Sequence, residues 1–137
     1  MTPPQASPTR ATAGGDPPPA ASLRLQTMTK RADFQRASRA PRVAMPGFIL
    51  QMRTRGPDEP AGIRVGYTCS KKVGNAIARN RAKRRLREAA RHVLLRYGRD
   101  GVDYVLIGRK NATATLPFAQ LVADLQTAVQ RLHARRP

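Results

Sequence analysis

Tryptophan is absent from this 137-residue chain, phenylalanine and tyrosine number three each, and there is one cysteine. Cys69 alone excludes an internal disulfide and suits a reducing cytoplasm, where the protein is expected to act. No apolar run approaches the about 18 residues of a membrane span, so no membrane partner is expected. The N-terminus lacks the charged-then-apolar pattern of a secretory signal. Acidic residues are scarce: eight against 26 lysines and arginines, a net charge of +18. A protein nuclease needs clustered carboxylates to hold divalent metal. Here Asp16, Asp33, Asp58, Glu59, Glu88 and Asp124 are scattered along the chain. Asp100 and Asp103 flank Gly101, where helix exit and strand entry explain them. His92 and His133 have no acid or cysteine at ligand spacing, and Lys72-Val73-Gly74 lacks the spacing of a phosphate loop. The reading is a chain with no catalytic side chain and no metal site of its own. That does not exclude a part in a larger enzyme.

The first 22 residues hold six of the 12 prolines and show no apolar periodicity. Such a segment buries too little surface to offset its ordering entropy, so residues 1–22 are expected to be a disordered tail. Its two charges, Arg10 and Asp16, cancel, which leaves the whole +18 on residues 23–137, read as one domain. Charge concentrated on a folded body points to a shaped polyanion as partner.

Residues 70–91 carry most of that signal. Nine of these positions are basic, six Arg and three Lys, and only Glu88 is acidic. Ala78, Ala82, Leu86, Ala89, Ala90, Val93, Leu94 and Tyr97 recur at three- and four-residue intervals, the spacing of one helix face. Asn80, Arg84, Arg87 and Arg91 follow the same interval on the other face, flanked by Arg81 and Lys83. Asn75 is the predicted N-cap and Gly98 the stop. A solvated face mixes both signs of charge. This one does not, and the planar guanidinium fork suits phosphates and base stacking. The apolar face lacks the large side chains that would insert into lipid. No helix-turn-helix pair precedes the helix, so DNA is not the expected partner.

Around it, residues 28–37 read as a short helix capped by Thr29 and carrying Phe34. Gly47–Arg53 and Gly62–Cys69 read as strands joined into a hairpin through the turn formers of residues 54–61. A small extra strand falls near residues 41–45. Residues 101–110 read as a central buried strand, linked to the preceding strand through the basic helix as a parallel crossover. Pro117 opens a last helix with Phe118, Leu121, Val122, Leu125, Val129 and Leu132 in one stripe. This is an α+β, two-layer sandwich on a mostly antiparallel sheet.

Ser70-Lys71-Lys72-Val73-Gly74-Asn75-Ala76, followed by Arg79-Asn80-Arg81, Lys83-Arg84 and Arg87-Glu88, closely resembles the signature of the bacterial ribonuclease P protein subunit. The resemblance covers roughly residues 23–132. It implies an α/β sandwich with an uncommon left-handed crossover, against the usual hand. It implies a ribonucleoprotein that removes the 5′ leader from precursor tRNA, at Mg²⁺ ions held mainly by the RNA subunit. Arg79, Asn80, Arg81, Lys83, Arg84 and Arg87 would face that catalytic RNA. Phe34 and Phe48 would line a cleft for the leader, with Lys71 and Lys72 at its rim. Ser38 and Gln51 stand where many relatives carry aromatics, which would thin stacking there. A noncatalytic RNA-binding protein of ribosomal or chaperone type is the alternative that the basic helix alone would satisfy.

Overall fold

The computed structural model describes residues 25–135. The expected tail, residues 1–22, lies outside them. Among the described residues, five strands form one mixed sheet: β1 (Leu25–Thr27), β2 (Arg42–Met45), β3 (Phe48–Thr54), β4 (Ile63–Thr68) and β5 (Val102–Gly108), in the spatial order β1-β4-β5-β3-β2. The helices are α1 (Arg31–Ala37), α2 (Ala76–Tyr97), α3 (Ala112–Thr115) and α4 (Phe118–Arg135), with a 3-10 turn at Lys71–Val73 before α2. No helix among the described residues is long and apolar enough to cross a membrane.

β5 is the central strand the sequence predicts, buried from Val102 to Leu106 because both of its faces are covered. It runs parallel to β4 across the α2 crossover. It also lies between β3 and β4, so those two strands are not a hairpin. The turn-rich stretch 54–61 joins strands two places apart. Short β1 pairs in parallel with β4, which makes two of the four strand pairings parallel, against the single one expected.

One face of the sheet carries the main core. Phe48, Leu50 and Met52 of β3, Ile63 and Val65 of β4, and Tyr104 and Leu106 of β5 pack there under α2 and α4. The α2 contribution is Leu86, Ala89, Ala90, Val93 and Leu94, and the small alanines let the helix lie close. The α4 stripe is Leu121, Leu125, Ala128, Val129 and Leu132, all at most 1% exposed. Burying side chains of this size gives about 1.5–3 kcal/mol each. Tyr104 is fully enclosed, and burial pushes its phenol up to about 12. Its hydroxyl accepts from the Arg99 backbone N–H (3.0 Å) and shares a 2.8 Å hydrogen bond with Nε2 of His133 on α4.

Among the described residues, the other face is covered by α1. Met28, Ala37 and Val105 form a smaller apolar cluster there, with Phe34 and Ile107 packed against it. The α1 N-cap is Lys30, without a side-chain cap bond, rather than Thr29.

Candidate nucleic-acid interface

The start of α2 is fixed by two residues. Gly74 has φ +145°, a backbone conformation L side chains rarely adopt, and a Cβ there would meet Ala78 Cβ at 2.8 Å. Asn75 Oδ1 accepts from the Ala78 N–H at 2.9 Å, as an N-cap does. The helix is therefore held rigid where its basic side chains begin. Asn80, Arg81, Arg84 and Arg87 are exposed, and Arg79 and Lys83 are half-exposed. None of Arg79, Arg81, Lys83 and Arg84 has an acidic partner among the described residues. Arg87 instead lays its guanidinium 5.3 Å from the Tyr67 ring centre. Burial raises the Tyr67 phenol to about 12, against the pull of the Arg87 charge. Arg91 makes an exposed 3.3 Å pair with Glu88.

Arg85 stands apart. Its Nη1 donates to Thr113 O (2.9 Å) and its Nη2 to Leu116 O (2.5 Å), so it ties α2 to α3 and to the residue that ends it. It serves the fold.

Three acids, Asp33, Glu59 and Asp103, are spent on the opposite face of the sheet. Asp103, the second residue of β5, is 0% exposed and receives Arg55 Nη1 (2.5 Å), Arg64 Nε (2.8 Å) and Arg53 Nη1 (3.4 Å). Asp33 of α1 takes Arg36 at 2.6 Å and lies 3.5 Å from Arg64. Burial pushes the Asp33 carboxyl up, but the Arg36 hydrogen bond and the charges of Arg64 and Arg36 outweigh it and hold it below its ordinary value. Glu59 takes Arg53 at 2.9 Å and the Gly56 N–H at 2.8 Å, which hold its carboxyl at about 2. Sequence reasoning assigned Asp103 to strand entry and missed its part as the anchor of this network. A buried, central-strand acid flanked by arginines on both neighbouring strands is visible only once the register is known.

Of the two aromatics expected to share a cleft, the structure separates one from the other. Phe34 is half-buried on the α1 face. It lies over Gly66, where a Cβ would stand 2.5 Å from its Cε1 atom. Phe48 is 1% exposed and belongs to the main core on the other face. Phe48 is thus a packing residue and not a cleft residue. Strand alternation puts it in phase with Leu50 and Met52, whereas Gln51 and Arg53 face α1. Gln51 donates its Nε2 to Ser38 O at 3.4 Å, so the two positions lacking aromatics meet each other. Beside them a pocket of about 360 Å³ is lined by Ala32, Gln35, Arg36, Arg39 and Arg53. Lys71 and Lys72 are exposed on the turn between β4 and α2, with Ser70 Oγ accepting from the Lys72 N–H at 3.2 Å.

No group of three or more His, Cys, Asp or Glu side chains able to hold a metal ion occurs among the described residues. Asp33, Glu59 and Asp103 are committed to arginines. The exposed arginines of α2 and the half-exposed Lys83 are arranged to grip phosphates.

Comparison with known proteins agrees with this geometry. The Ribonuclease P family model matches residues 23–133. The chain is 56% identical over 117 residues to the ribonuclease P protein component of Ruegeria pomeroyi, covering 85% of this chain and 94% of that protein. It is 46% identical over 113 residues to the ribonuclease P protein component of Caulobacter vibrioides, covering 82% and 74%. Among solved structures, the Staphylococcus aureus RNase P protein superposes with a TM-score of 0.62 at 27% identity, over 77% of this chain and 93% of that one. The Thermotoga maritima RNase P protein shares the fold with a TM-score of 0.60 at 24% identity, over 77% and 96%. A match over nearly all the described residues, on a chain whose capped basic helix carries a single acid, makes this protein a member of the ribonuclease P protein component family.

Proposed function

We propose that the chain is the protein subunit of ribonuclease P, the endoribonuclease that removes the 5′ leader from precursor tRNA. It binds the catalytic RNA subunit through α2 and holds the single-stranded leader on the α1 side, where Phe34 offers a ring for stacking. Mg²⁺, held mainly by the RNA, supplies the metal for phosphodiester hydrolysis. The chain's own residues bind and orient the two RNAs, in the cytoplasm. The observation that carries this reading is the division of charge. Asp33, Glu59 and Asp103 are neutralised by arginines on the α1 side, whereas Arg79, Arg81, Lys83 and Arg84 project from a capped helix with no acid partner among the described residues.

Two polyanions must meet for the reaction, and their repulsion opposes binding. A compact body of +18 lowers that repulsion, which raises affinity for substrate and for Mg²⁺. Placement and electrostatics then do the work that a side-chain acid or base does in a protein nuclease.

The test is cleavage of a precursor tRNA at low Mg²⁺, with the protein alone, the RNA alone, both, and both with an Arg81→Ala, Arg84→Ala double variant. Cleavage that needs both components and weakens in the variant supports the reading. Equal cleavage by the RNA with and without protein would leave only a general RNA-binding protein.

A further inference from the structure

Three guanidiniums converge on the pocket beside α1. Arg36 and Arg39 line it from α1 and the turn that follows, Arg53 lines it from β3, and Ala32 and Gln35 complete the wall. At about 100° per residue, Ala32 and Arg36 each stand about 160° around α1 from Phe34. The pocket therefore opens on the flank of the helix turned away from that ring. It also lies toward one end of the sheet. Arg53 pairs with Asp103 near the amino end of β5, whereas α2 begins beyond the carboxyl end of its parallel neighbour β4. Phe34 sits between the two ends, over Gly66. The five residues of strand from Asp103 to Gly108 span about 17 Å.

The charges around the pocket do not balance. Arg36, Arg53, Arg55 and Arg64 share three carboxylates, those of Asp33, Glu59 and Asp103. Arg39 is exposed and has no acidic partner among the described residues. Five guanidiniums against three carboxylates leave an excess of two positive charges. Arg53 is engaged with Glu59 and Asp103 and contributes charge rather than free donors. Arg36 bonds Asp33 through Nη2, which leaves its other nitrogens, and the whole Arg39 fork, to donate to a ligand.

That excess suits the end of a strand better than its interior. Each phosphodiester carries one negative charge, and so do its neighbours on both sides. Glu59 stands at Arg53 and Asp33 beneath Arg36, both with carboxyls below their ordinary range and so ionised near neutral pH. A strand running through the pocket would carry further phosphates past these carboxylates. A terminal phosphate monoester brings about −1.5 to −2 to a single point, which matches the excess, and no chain continues beyond it. The path fits as well. With the catalytic RNA against α2, a leader stacked on Phe34 runs away from the carboxyl end of β4, and its 5′ end arrives at the end where Arg53 lies.

We propose that this pocket receives the 5′-terminal phosphate group of precursors with short leaders, as a monophosphate or a triphosphate, gripped by Arg39 and Arg36. The proposal rests on the subunit reading above and extends it to the far end of the leader.

The experiment measures affinity of the assembled holoenzyme for precursor tRNAs of one leader sequence, cut to stepped lengths, ending in a 5′-hydroxyl, a 5′-monophosphate or a 5′-triphosphate. At the length that reaches the pocket, the unsubstituted enzyme should bind a phosphate-ended precursor about fivefold to tenfold more tightly than the hydroxyl-ended one, the worth of one charged contact. A preference for either phosphate form supports the assignment, and the stronger of the two shows which end the pocket fits. The preference should fade for longer leaders, whose ends pass beyond the pocket. Arg39→Gln should erase it while keeping affinity for the hydroxyl-ended precursor within about twofold, and Arg39→Lys should restore most of it. Two results overturn the proposal: no preference at any leader length, or Arg39→Gln weakening hydroxyl- and phosphate-ended precursors equally, which would make Arg39 a contact to the interior of the strand. If the unsubstituted holoenzyme binds no precursor at all, the subunit reading itself falls, a separate result from either of these.

Discussion

Arg55 and Asp103 form an ion pair that is wholly out of contact with water: both side chains are 0% exposed, with Arg55 Nη1 2.5 Å from Asp103 Oδ1. The carboxylate belongs to the central strand, and its register partners on either side are Arg53 of β3 and Arg64 of β4. Arg55 closes the set from the loop after β3 and also bonds Pro60 O and Gly62 O. One acid therefore links three adjacent strands and the loop between two of them. Removing it leaves Arg55 enclosed and unpaired, which is far worse than deleting the pair as a unit. Asp103→Asn should lower the unfolding free energy by about 3–5 kcal/mol, read from urea titration. A change under about 1 kcal/mol would show that the network does not hold the strands together.

Phe34→Ala and Phe48→Ala should separate cleanly. Phe48 is enclosed in the main core, so its truncation should lower stability by about 3–5 kcal/mol, with any loss of substrate binding following from unfolding. Phe34 is half-buried on the α1 face. Its truncation should be milder for stability and should weaken binding of leader-bearing precursor while sparing mature tRNA. Equal loss for both tRNAs in a folded Phe34→Ala protein would make Phe34 a packing residue as well.

The contrast shows which information the sequence carries locally. α2 was legible because cap, period and stop all lie within one continuous segment: Asn75, the alanine and leucine spacing, and Gly98. Phe48 was also legible, since Phe48, Leu50 and Met52 share one phase and Gln51 and Arg53 the other. The resemblance drew it toward the cleft in spite of that. Strand order was not legible. The hairpin expected of β3 and β4 fails because β5, about 40 residues downstream of β4's start, supplies better apolar pairing on both sides than either strand offers the other. The short β1 also escapes, as three residues are too few for a period. Arg85 belongs to the same class. Nothing in the run Lys83-Arg84-Arg85 distinguishes it until α3 and α4 are in place.

Acidification should destabilise the protein in two separate steps. His133 is held below its ordinary 6.5 first by burial and then by the Arg99 charge, so the folded state favours the neutral ring. Its contribution is present above pH 6.5 and is lost as pH falls from there through the depressed folded value. Glu59 is held at about 2 against an ordinary 4.5, first by the Arg53 hydrogen bond and then by the Gly56 N–H. Its contribution is present above pH 4.5 and disappears between pH 4.5 and about 2. Unfolding curves at stepped pH should flatten in the upper window for His133→Gln and in the lower window for Glu59→Gln. A single merged step, or no change in either variant, would contradict the assignment.

Adjacent Arg84 and Arg85 should behave as opposites. Arg84 is exposed with no acid partner, so its loss removes a phosphate contact and little else. Each such contact contributes about 0.7–0.9 to the slope of log affinity against log salt. The Arg81→Ala, Arg84→Ala pair should therefore reduce that slope for the catalytic RNA by about 1.4–1.8, with the unfolding midpoint nearly unchanged. Arg85 already spends its guanidinium on Thr113 O and Leu116 O. Arg85→Ala leaves those carbonyls short of a charged donor and should lower stability by about 1–3 kcal/mol, while the salt slope stays as it was. Anisotropy titrations across a salt series, paired with thermal unfolding, read both quantities on the same proteins. If Arg85→Ala flattened the salt slope as the double variant does, the charge of the run would matter more than where each side chain points, and the structural division of α2 would be wrong.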